Sequence, residues 1–190
     1  MPEKETDQEL IDQVSRSAKY AQLAGTLVAR VTAEEAKKYK SQQAIIQSAR
    51  TRLHQLTGAY LAPKIDYAHW LDKFKCLDPK NLEGLESTSL QMMRLHASTY
   101  ERIDVLPTFF KTTLASVAPI KSVMDLACGL NPLSIPWMPL AEDFTYFASD
   151  VVSPLVHFLW HYFELFGING NASILDLSHF IPSQPVQLAL

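Results

Sequence analysis

The sequence predicts an α/β fold in which a helical N-terminal region precedes a parallel β-sheet. Before residue 118, apolar residues recur every three or four positions, which is the spacing of amphipathic helices. After it, short apolar runs alternate with helical or turn segments, as in the βαβ units of a parallel sheet. The runs that predict strands are 122–127, 144–149, 171–175 and 186–190. We therefore divide the chain into a helical domain, residues 1–118, and the first half of a sheet domain, residues 119–190.

Capping residues mark two helix starts in the first part. Thr32 followed by Glu35 forms a capping box, which predicts a helix beginning at Thr32. Ser41 is a favourable N-cap for a helix that ends at Gly58. Further helices are predicted at 5–24, 64–75, 82–94 and 98–114, the last with Ser98 and Glu101 as its capping box and Pro107 as a kink or early break.

The strongest site signal is the stretch S-V-M-D-L-A-C-G-L-N-P-L-S-I, residues 122–135. It predicts a buried strand, a tight turn at Cys128–Gly129 and a short helix opening at Asn131, an arrangement that presents bare backbone to a ligand. The turn has one glycine where a dinucleotide fingerprint has three, so NAD is a poor fit. S-adenosylmethionine (SAM) fits better, since the acid Asp125 inside the strand suggests a ligand with a positive group. A plain βα turn in some other α/β protein is the alternative.

Three aspartates stand at comparable places in the predicted sheet. Asp125 lies in the first strand, Asp150 ends the second and Asp176 follows the third. The carboxyl ends of parallel strands line one crevice, where ligands bind. Asp150 ends the second strand about 20 residues after the glycine turn, which is where a ribose diol is usually bound. Each of the three could separately be a loop or capping aspartate. The next crossover helix is predicted at 153–166, with Ser153 as its cap.

Composition narrows the class of protein. A hydrophobic content of 47% and a charged content of 19% indicate a folded chain. The two cysteines form no C-x-x-C pair, which argues against a zinc ribbon or disulfide scaffold and fits a reducing cytoplasm. The most apolar run, 151–168, contains His157, His161 and Glu164, so we expect a buried helix and no membrane partner. The two histidines have zinc-helix spacing, but Phe158 replaces the catalytic glutamate, so no metal is expected.

Charge is unevenly distributed along the chain. The whole chain has a net charge of −3, but residues 14–60 hold eight lysines and arginines against Glu34 and Glu35, a net +6. This distribution suggests that the first part meets a polyanion, with a solvated helical face as the alternative. We expect Lys37, Lys38, Lys40, Arg50 and Arg52 to contact phosphates, with the two arginines pointing outward from their helix.

The segment L-H-A-S-T-Y-E-R, residues 95–102, precedes the sheet. Arg102 could pair bidentately with the methionine carboxylate of SAM, or form a surface ion pair with Glu101 or Asp104. Together with S-A-R-T-R-L-H-Q-L-T-G-A-Y (48–60) and D-L-A-C-G-L-N-P-L (125–133), this block resembles the aminoglycoside-resistance 16S rRNA methyltransferases of the Arm/Kgm/FmrO type. These enzymes methylate N7 of a guanine in the decoding site of the 30S subunit, and the resemblance spans residues 30–190.

The resemblance implies a class I SAM-dependent methyltransferase sheet, Rossmann-like, behind a helical rRNA-binding domain. It implies that the cofactor contacts come mostly from the later half of the chain, with Tyr60 closing over the cofactor from the helical domain. By this resemblance Arg102 takes the cofactor carboxylate, His96, Ala97 and Ser98 border the methionine end, Ala127 and Gly129 lie under the cofactor, Asp150 holds the ribose, and Asp176 with Leu177 meets the adenine. No catalytic base is expected, because guanine N7 has a free lone pair.

One departure from the family pattern concerns the end of the sequence. The family continues past the fourth strand with a lysine- and proline-containing segment and three more strands, so we expect a sheet that is incomplete at its C-terminal side. Two alternatives to the rRNA methyltransferase follow: a non-catalytic RNA-binding remnant, and a SAM-dependent methyltransferase of a small molecule.

Overall fold

The structure, a computed structural model, describes residues 2–58, 65–180 and 182–190. Within these ranges the chain forms a parallel sheet in the order β3-β2-β1-β4, which confirms the predicted class of sheet. The strands are β1 (Ile120–Leu126), β2 (Leu140–Asp150), β3 (Gly170–Ile174) and β4 (Leu188–Ala189). β2 begins four residues before its predicted start at 144, because it continues past the register shift in its pairing with β1.

The register of the strands shows which of their ends lie side by side. Asp125 lies opposite Ala148 across β1 and β2, and Asp150 lies opposite Ile174 across β2 and β3. Both strands carry runs of buried residues at these ends, as strands covered on both faces do. The carboxyl ends of β1, β2 and β3 therefore meet at one edge.

Helices make up most of the first 113 residues. They are α1 (Pro2–Ser15), α2 (Gly25–Ala36), α3 (Gln42–Thr57), α4 (Tyr67–Lys75), α5 (Leu82–Met93), α6 (Ala97–Tyr100) and α7 (Leu106–Thr113), and α8 (Ser153–Leu165) is the crossover between β2 and β3. Short 3₁₀ helices cover Ile103–Val105 and Asn131–Trp137. Among the described residues no helix has both the length and the apolarity that a membrane crossing needs.

The two capping predictions had different outcomes. Ser41 is the N-cap of α3, and its Oγ accepts a hydrogen bond from the Ala44 N–H. The predicted start at Thr32 is wrong, because α2 begins at Gly25 and Thr32 lies inside it. The buried Thr32 hydroxyl donates to the Val28 carbonyl at 2.7 Å. Its hydrogen bond is therefore made inside α2, and Thr32 does not cap a helix.

The helix predicted from Ser98 to residue 114 is wrong as a single element. It divides into α6, a 3₁₀ turn and α7, and His96 rather than Ser98 precedes α6. Pro107 lies in the first turn of α7, where its missing N–H has no intrahelical acceptor to lose. The early break expected near Pro107 is therefore confirmed.

Helix α2 is bound to the sheet edge through backbone groups. Leu23 forms an antiparallel bridge with Val152, and the Ala24 N–H donates to the Val151 carbonyl at 2.7 Å. From the other side, the Ser153 N–H donates to the Gln22 carbonyl at 2.8 Å. One hydrophobic core runs from α1, α2 and α3 through the sheet to α8. The helical part and the sheet thus share one core, and they meet along a seam formed by residues 22–24 and 151–153.

Candidate functional site

A crevice lies along the seam, at the carboxyl edge of the sheet. Two adjoining cavities of about 240 Å³ and 190 Å³ form it. Together they fall within the range of about 300–1,000 Å³ that is usual for small-molecule sites. The residues that line both cavities are Leu56, Thr57, Ala127, Asp150 and Val151.

The turn after β1 forms the floor of the crevice. Ala127 and Gly129 both have left-handed backbone conformations, with φ of 51° and 52°. The Cys128 N–H donates to the Ser149 carbonyl at 2.9 Å, which fixes the turn to β2. A Cβ on residue 129 would lie 2.8 Å from Cε1 of the buried His96, so only glycine fits there. The left-handed angle favours glycine at position 129, and the imidazole beside it is what excludes the alanine that position 127 tolerates at the same angle.

Asp150 holds this turn and also faces the crevice. Its Oδ2 accepts a hydrogen bond from the Gly129 N–H and its Oδ1 one from the Val152 N–H, both at 3.0 Å. A carboxylate has about four acceptor positions, so two remain for a ligand. Asp150 is only half-buried and lines both cavities. The geometry suits an acceptor for a diol.

His96 and Ser98 line the first cavity together. The His96 Nδ1 lies 2.9 Å from the Ser98 Oγ. Burial lowers the pKa of His96, although the nearby Asp150 charge opposes that shift. The imidazole is therefore neutral at pH 7, and it acts here as a packed wall beside the turn.

Asp176 and Leu177 line the second cavity. Asp176 is buried, and its Oδ2 accepts a hydrogen bond from the Arg30 Nε at 2.9 Å. Its Oδ1 accepts from the Ser178 N–H at 3.1 Å and from the Ser178 hydroxyl. Burial pushes the pKa of Asp176 upward, but the hydrogen bonds from Arg30 and Ser178 outweigh it and lower the pKa below its usual value.

Arg102 and Ala97 do not line either cavity. The Arg102 Nε donates to the Ser98 carbonyl at 3.1 Å, and its guanidinium lies 5.9 Å from the centre of the Phe109 ring. Among the ion pairs of the described residues, none joins Arg102 to Glu101 or Asp104, so the surface ion pair is not formed. The guanidinium lies beside the crevice, near the Ser98 wall.

Asp125 is the acid inside β1. Its Oδ2 accepts hydrogen bonds from the Tyr146 hydroxyl at 2.6 Å and from the Asn131 amide at 2.8 Å. Burial raises the pKa of Asp125 to about 6, against the opposing effects of Tyr146, Asn131 and Arg102. A short 3₁₀ helix opens at Asn131, as expected, and the Asn131 side chain bonds to Asp125. Asp125 therefore supports the turn from below, outside the lining of the crevice.

Helices supply a wall of the crevice that the sequence did not reveal. Leu27, Arg30, Leu56, Thr57 and Tyr67 line it from α2, α3 and α4. Most of the lining residues still belong to the later half of the chain, and the docking of α2 on residues 151–153 adds early helices at the sheet edge. No sequence pattern links these positions to the sheet. Tyr60 lies outside the described residues.

The basic residues of the first part are placed differently from one another. Lys37, Lys38, Lys40 and Arg52 are exposed, and Lys38 pairs with Glu35 at 2.6 Å. The expectation that Arg50 points outward is wrong, because its Nη2 donates to the Gln13 carbonyl at 2.6 Å and its Nε is buried. The reason is the packing of α1 on α3, with the guanidinium between them.

Arg50 also lines a broad groove of about 610 Å³ along α3, which contains no residue of the sheet. His157 and His161 lie on α8, and the His161 Nδ1 lies 3.3 Å from Glu164. No group of three or more metal-ligating side chains occurs in residues 2–58, 65–180 and 182–190.

Comparisons with known proteins agree with this geometry. Residues 16–190 match the family described as ribosomal RNA methyltransferase (FmrO). A 16S rRNA (guanine(1405)-N(7))-methyltransferase of Micromonospora olivasterospora is 35% identical over 177 residues, which cover 92% of this chain and 58% of that protein. A protein of the same name from Frankia casuarinae is 32% identical, covering 93% of this chain and 64% of its own length. The chain thus spans about three fifths of these curated relatives.

Two solved structures share the fold. The 16S rRNA methylase RmtB superposes with a TM-score of 0.76 at 26% identity, covering 96% of this chain and 70% of RmtB. The 16S rRNA methyltransferase RmtF, solved in complex with S-adenosyl-L-homocysteine, gives a TM-score of 0.74 at 28% identity, covering 96% of this chain and 67% of RmtF. The sheet and the helices before it are therefore those of class I SAM-dependent rRNA methylases.

Proposed function

Because the chain belongs to the FmrO family of ribosomal RNA methyltransferases, we propose that it binds SAM and methylates N7 of a guanine in the decoding-site region of 16S rRNA. The observation that carries the proposal is the crevice, where the Ala127–Gly129 turn, Asp150 and Asp176 meet at one sheet edge. Since the chain spans 58% of a curated relative, catalysis is itself part of the proposal. Methylation there would confer aminoglycoside resistance, and the protein would act in the cytoplasm, where ribosomes are.

The residues at the crevice fit the parts of SAM. Bare backbone at Ala127 and Gly129 leaves room for the cofactor, and Asp150 keeps acceptor positions for the ribose hydroxyls. Arg102 uses its Nε on Ser98, so both Nη groups are left for the methionine carboxylate. His96, Ala97 and Ser98 would border that end, Asp176 and Leu177 would meet the adenine, and Tyr60 would close over the cofactor.

The chemistry needs alignment more than proton transfer. SAM supplies a methyl group already activated by its sulfonium, and guanine N7 offers a lone pair without deprotonation. The chain would contribute position and a dry, shaped site, since water would weaken the electrostatic fit. The buried Cys128 has a pKa raised by burial, so its thiol is not a nucleophile here. We propose no catalytic base.

The substrate would be held by the helical part, residues 1–118, with residues 119–190 holding the cofactor. Guanine N7 lies in the deep, narrow groove of A-form RNA, so the target base has to leave its stack or the rRNA has to distort. Lys37, Lys38, Lys40 and Arg52 are exposed and would contact phosphates, which gives affinity rather than base choice. Arg50 would support them by fixing α3 on α1.

The first experiment is calorimetric titration of the chain with S-adenosylhomocysteine. We expect binding, and we expect Asp150→Asn to weaken it by at least about tenfold, because a charge-assisted contact contributes about 1.5–3 kcal/mol. Asp143→Asn is the matched control, since Asp143 is exposed on the same strand. Absence of binding to the parent chain would overturn the proposal.

The second experiment follows labelled methyl groups from SAM into isolated 30S subunits, with the labelled base identified by nuclease digestion. We expect 7-methylguanine in 16S rRNA. Subunit binding without any cofactor binding would support the RNA-binding remnant instead. Cofactor binding without labelled rRNA would favour a small-molecule methyltransferase.

A further inference from the structure

Arg30 on α2 joins the helical part to the adenine end of the crevice, although 146 residues separate it from Asp176. Its Nε donates to Asp176 Oδ2 at 2.9 Å, and its Nη2 donates to the Ser178 Oγ at 2.7 Å. Its Nη1 donates to Glu34 at 2.9 Å. The bonds to Asp176 and Ser178 orient the guanidinium on its crevice side, whereas the bond to Glu34 lies outside the cavity lining.

The pair lies in the wall of the second cavity, which both side chains line together with Leu177. The Asp176 side chain is 7% exposed and that of Arg30 is 21% exposed. The N–H and the hydroxyl of Ser178 both donate to Asp176 Oδ1. Asp176 Oδ2 accepts a hydrogen bond from the Arg30 Nε, and from no other donor among the described residues. An oxygen of a carboxylate has two acceptor positions, so Oδ2 keeps one for a ligand donor.

Arg30 also has a fixed position relative to the sheet. It lies six residues after Ala24, whose N–H is bonded to Val151, and the Leu23–Val152 bridge holds the same end of α2. Six residues of helix span about 9 Å. The bridge and the ion pair therefore attach α2 at two separate points, one just after β2 and the other just after β3.

We propose that Arg30 is a positioning residue for purine recognition: it aims the free acceptor of Asp176 at the exocyclic amino group of a 6-aminopurine nucleoside and makes α2 a wall of that site. The inference rests on the proposed function, which supplies the adenine. It follows that nucleoside binding and the docking of α2 stabilise one another.

A purely structural ion pair would also join α2 to the sheet, so the test has to separate the two roles. The discriminating probes are S-adenosylhomocysteine and its 6-oxo analogue S-inosylhomocysteine. They differ at C6 of the purine, where only the amino group of the first can donate a hydrogen bond to Asp176. The variants are Arg30→Gln, which removes the charge, and Arg30→Lys, which keeps it. Glu34→Gln is the control, because Glu34 pairs with the same guanidinium but its side chain is 43% exposed and does not line the cavity.

In calorimetry at pH 7.5, we expect the parent to prefer the 6-amino ligand by at least about tenfold, since an unpaired site acceptor penalises the analogue. Arg30→Gln should lose most of this preference, mainly through weaker binding of the 6-amino ligand. Arg30→Lys should recover part of it, because a point charge cannot reproduce the bonds to both Asp176 and Ser178. Glu34→Gln should change neither affinity by more than about twofold.

Two readouts do not depend on turnover. The Asp176 carboxyl, followed by NMR between pH 2.5 and 7, should titrate at higher pH in Arg30→Gln, because the groups around it are then Ser178 and the like-charged Glu34 and Asp150. Hydrogen exchange of α2 should slow on addition of S-adenosylhomocysteine in the parent and much less in Arg30→Gln.

An unchanged preference ratio in both Arg30 variants, or an equal loss of both ligands, would overturn the inference and leave the proposed function standing. Failure of the parent to bind S-adenosylhomocysteine would instead remove the proposed function, and this inference with it. Should Arg30→Gln not fold, Arg30→Lys decides the question through its preference ratio.

Discussion

At the scale of single residues, two glycines with the same backbone handedness differ in their surroundings. Gly129 has φ 52° and His96 within 2.8 Å of its would-be Cβ, whereas Gly167 has φ 63° and nothing within 4 Å. We expect Gly167→Ala to lower the free energy of unfolding by about 1–2 kcal/mol, the cost of a left-handed alanine. Gly129→Ala should cost more, because the buried imidazole has to move. Urea denaturation measures both.

Gly25→Ala is the control for these glycine variants. Its would-be Cβ meets nothing within 4 Å and its φ lies outside the left-handed range, so its unfolding free energy should stay within a few tenths of a kcal/mol of the parent or rise. Equal losses for Gly129→Ala and Gly167→Ala would show that His96 does not constrain the turn.

Asp125 gives a pH dependence with a definite sign. Burial raises its pKa to about 6, above the unfolded value, so the folded protein binds more protons between pH 4 and 6. Its contribution to the free energy of unfolding therefore falls as the pH rises through that window. The free energy of unfolding of Asp125→Asn, taken relative to that of the parent, should therefore rise by on the order of 2–3 kcal/mol between pH 4 and pH 7.5. Urea denaturation of both proteins at the two pH values tests this, and a constant difference would contradict it.

Local pattern predicted the residues of the turn, because their neighbours are close in sequence. Gly129 and Asp150 belong to consecutive elements, so the strand–turn–helix motif was enough to place both at the sheet edge. Arg30 and Asp176 are 146 residues apart, and nothing in their local sequences indicates that they pair. Arg50 was misplaced for a related reason: helical spacing locates a face, but which neighbour covers that face is a tertiary fact.

At the scale of elements, α2 docks on the sheet edge through several bonds, one of which is the backbone hydrogen bond from the Ala24 N–H to the Val151 carbonyl. Ala24 has φ −50°, which proline can adopt, so Ala24→Pro removes the donor at a backbone angle that suits the new residue. We expect it to lower the free energy of unfolding by about 1–3 kcal/mol, the cost of leaving the carbonyl of the partly buried Val151 without this donor. Hydrogen exchange should also speed up along α2.

The matched control is Gly25→Pro, one residue later. Gly25 is the first residue of α2, where the N–H has no acceptor inside the helix and proline is favoured. Its stability and the exchange of α2 should match the parent. If both proline variants behaved alike, the backbone bond to Val151 would not be what holds α2.

Helix boundaries were predictable only where a cap had no competing bond. Ser41 stands in extended conformation before α3 and its side chain is exposed, so its hydroxyl is available to the Ala44 N–H. Thr32 has the same capping signature but is buried within α2, and its hydroxyl bonds to the preceding turn. The Ser98 hydroxyl lies against His96. Sequence spacing is identical for a cap and for such internal bonds, so it could not separate them.

At the scale of the whole molecule, α3 connects the proposed RNA-binding face with the crevice. The exposed lysines 37 and 40 precede its first residue, and Leu56 and Thr57 in its last turn line both cavities. A helix of 16 residues is about 24 Å long. Charge changes before α3 should therefore affect RNA binding and leave cofactor binding unchanged.

The double variant Lys37→Glu, Lys40→Glu tests whether the face before α3 binds RNA. If both lysines contact phosphates, binding of the chain to 30S subunits should weaken, and the slope of log affinity against log salt should flatten by about one unit per lost contact. Affinity for S-adenosylhomocysteine, measured by calorimetry, should stay within about twofold of the parent, since charges at that distance are screened in 0.15 M salt.

Lys111→Glu, Lys121→Glu is the matched control, because both lysines are exposed and the change in net charge is the same. Its salt slope should remain that of the parent, since a phosphate contact requires a particular place and not only a particular total charge. Equal flattening in the two double variants would mean that net charge alone drives association, and the face before α3 would not be an RNA site. Loss of cofactor affinity in the Lys37, Lys40 variant alone would instead mean that α3 transmits changes at its first residue to the crevice at its last.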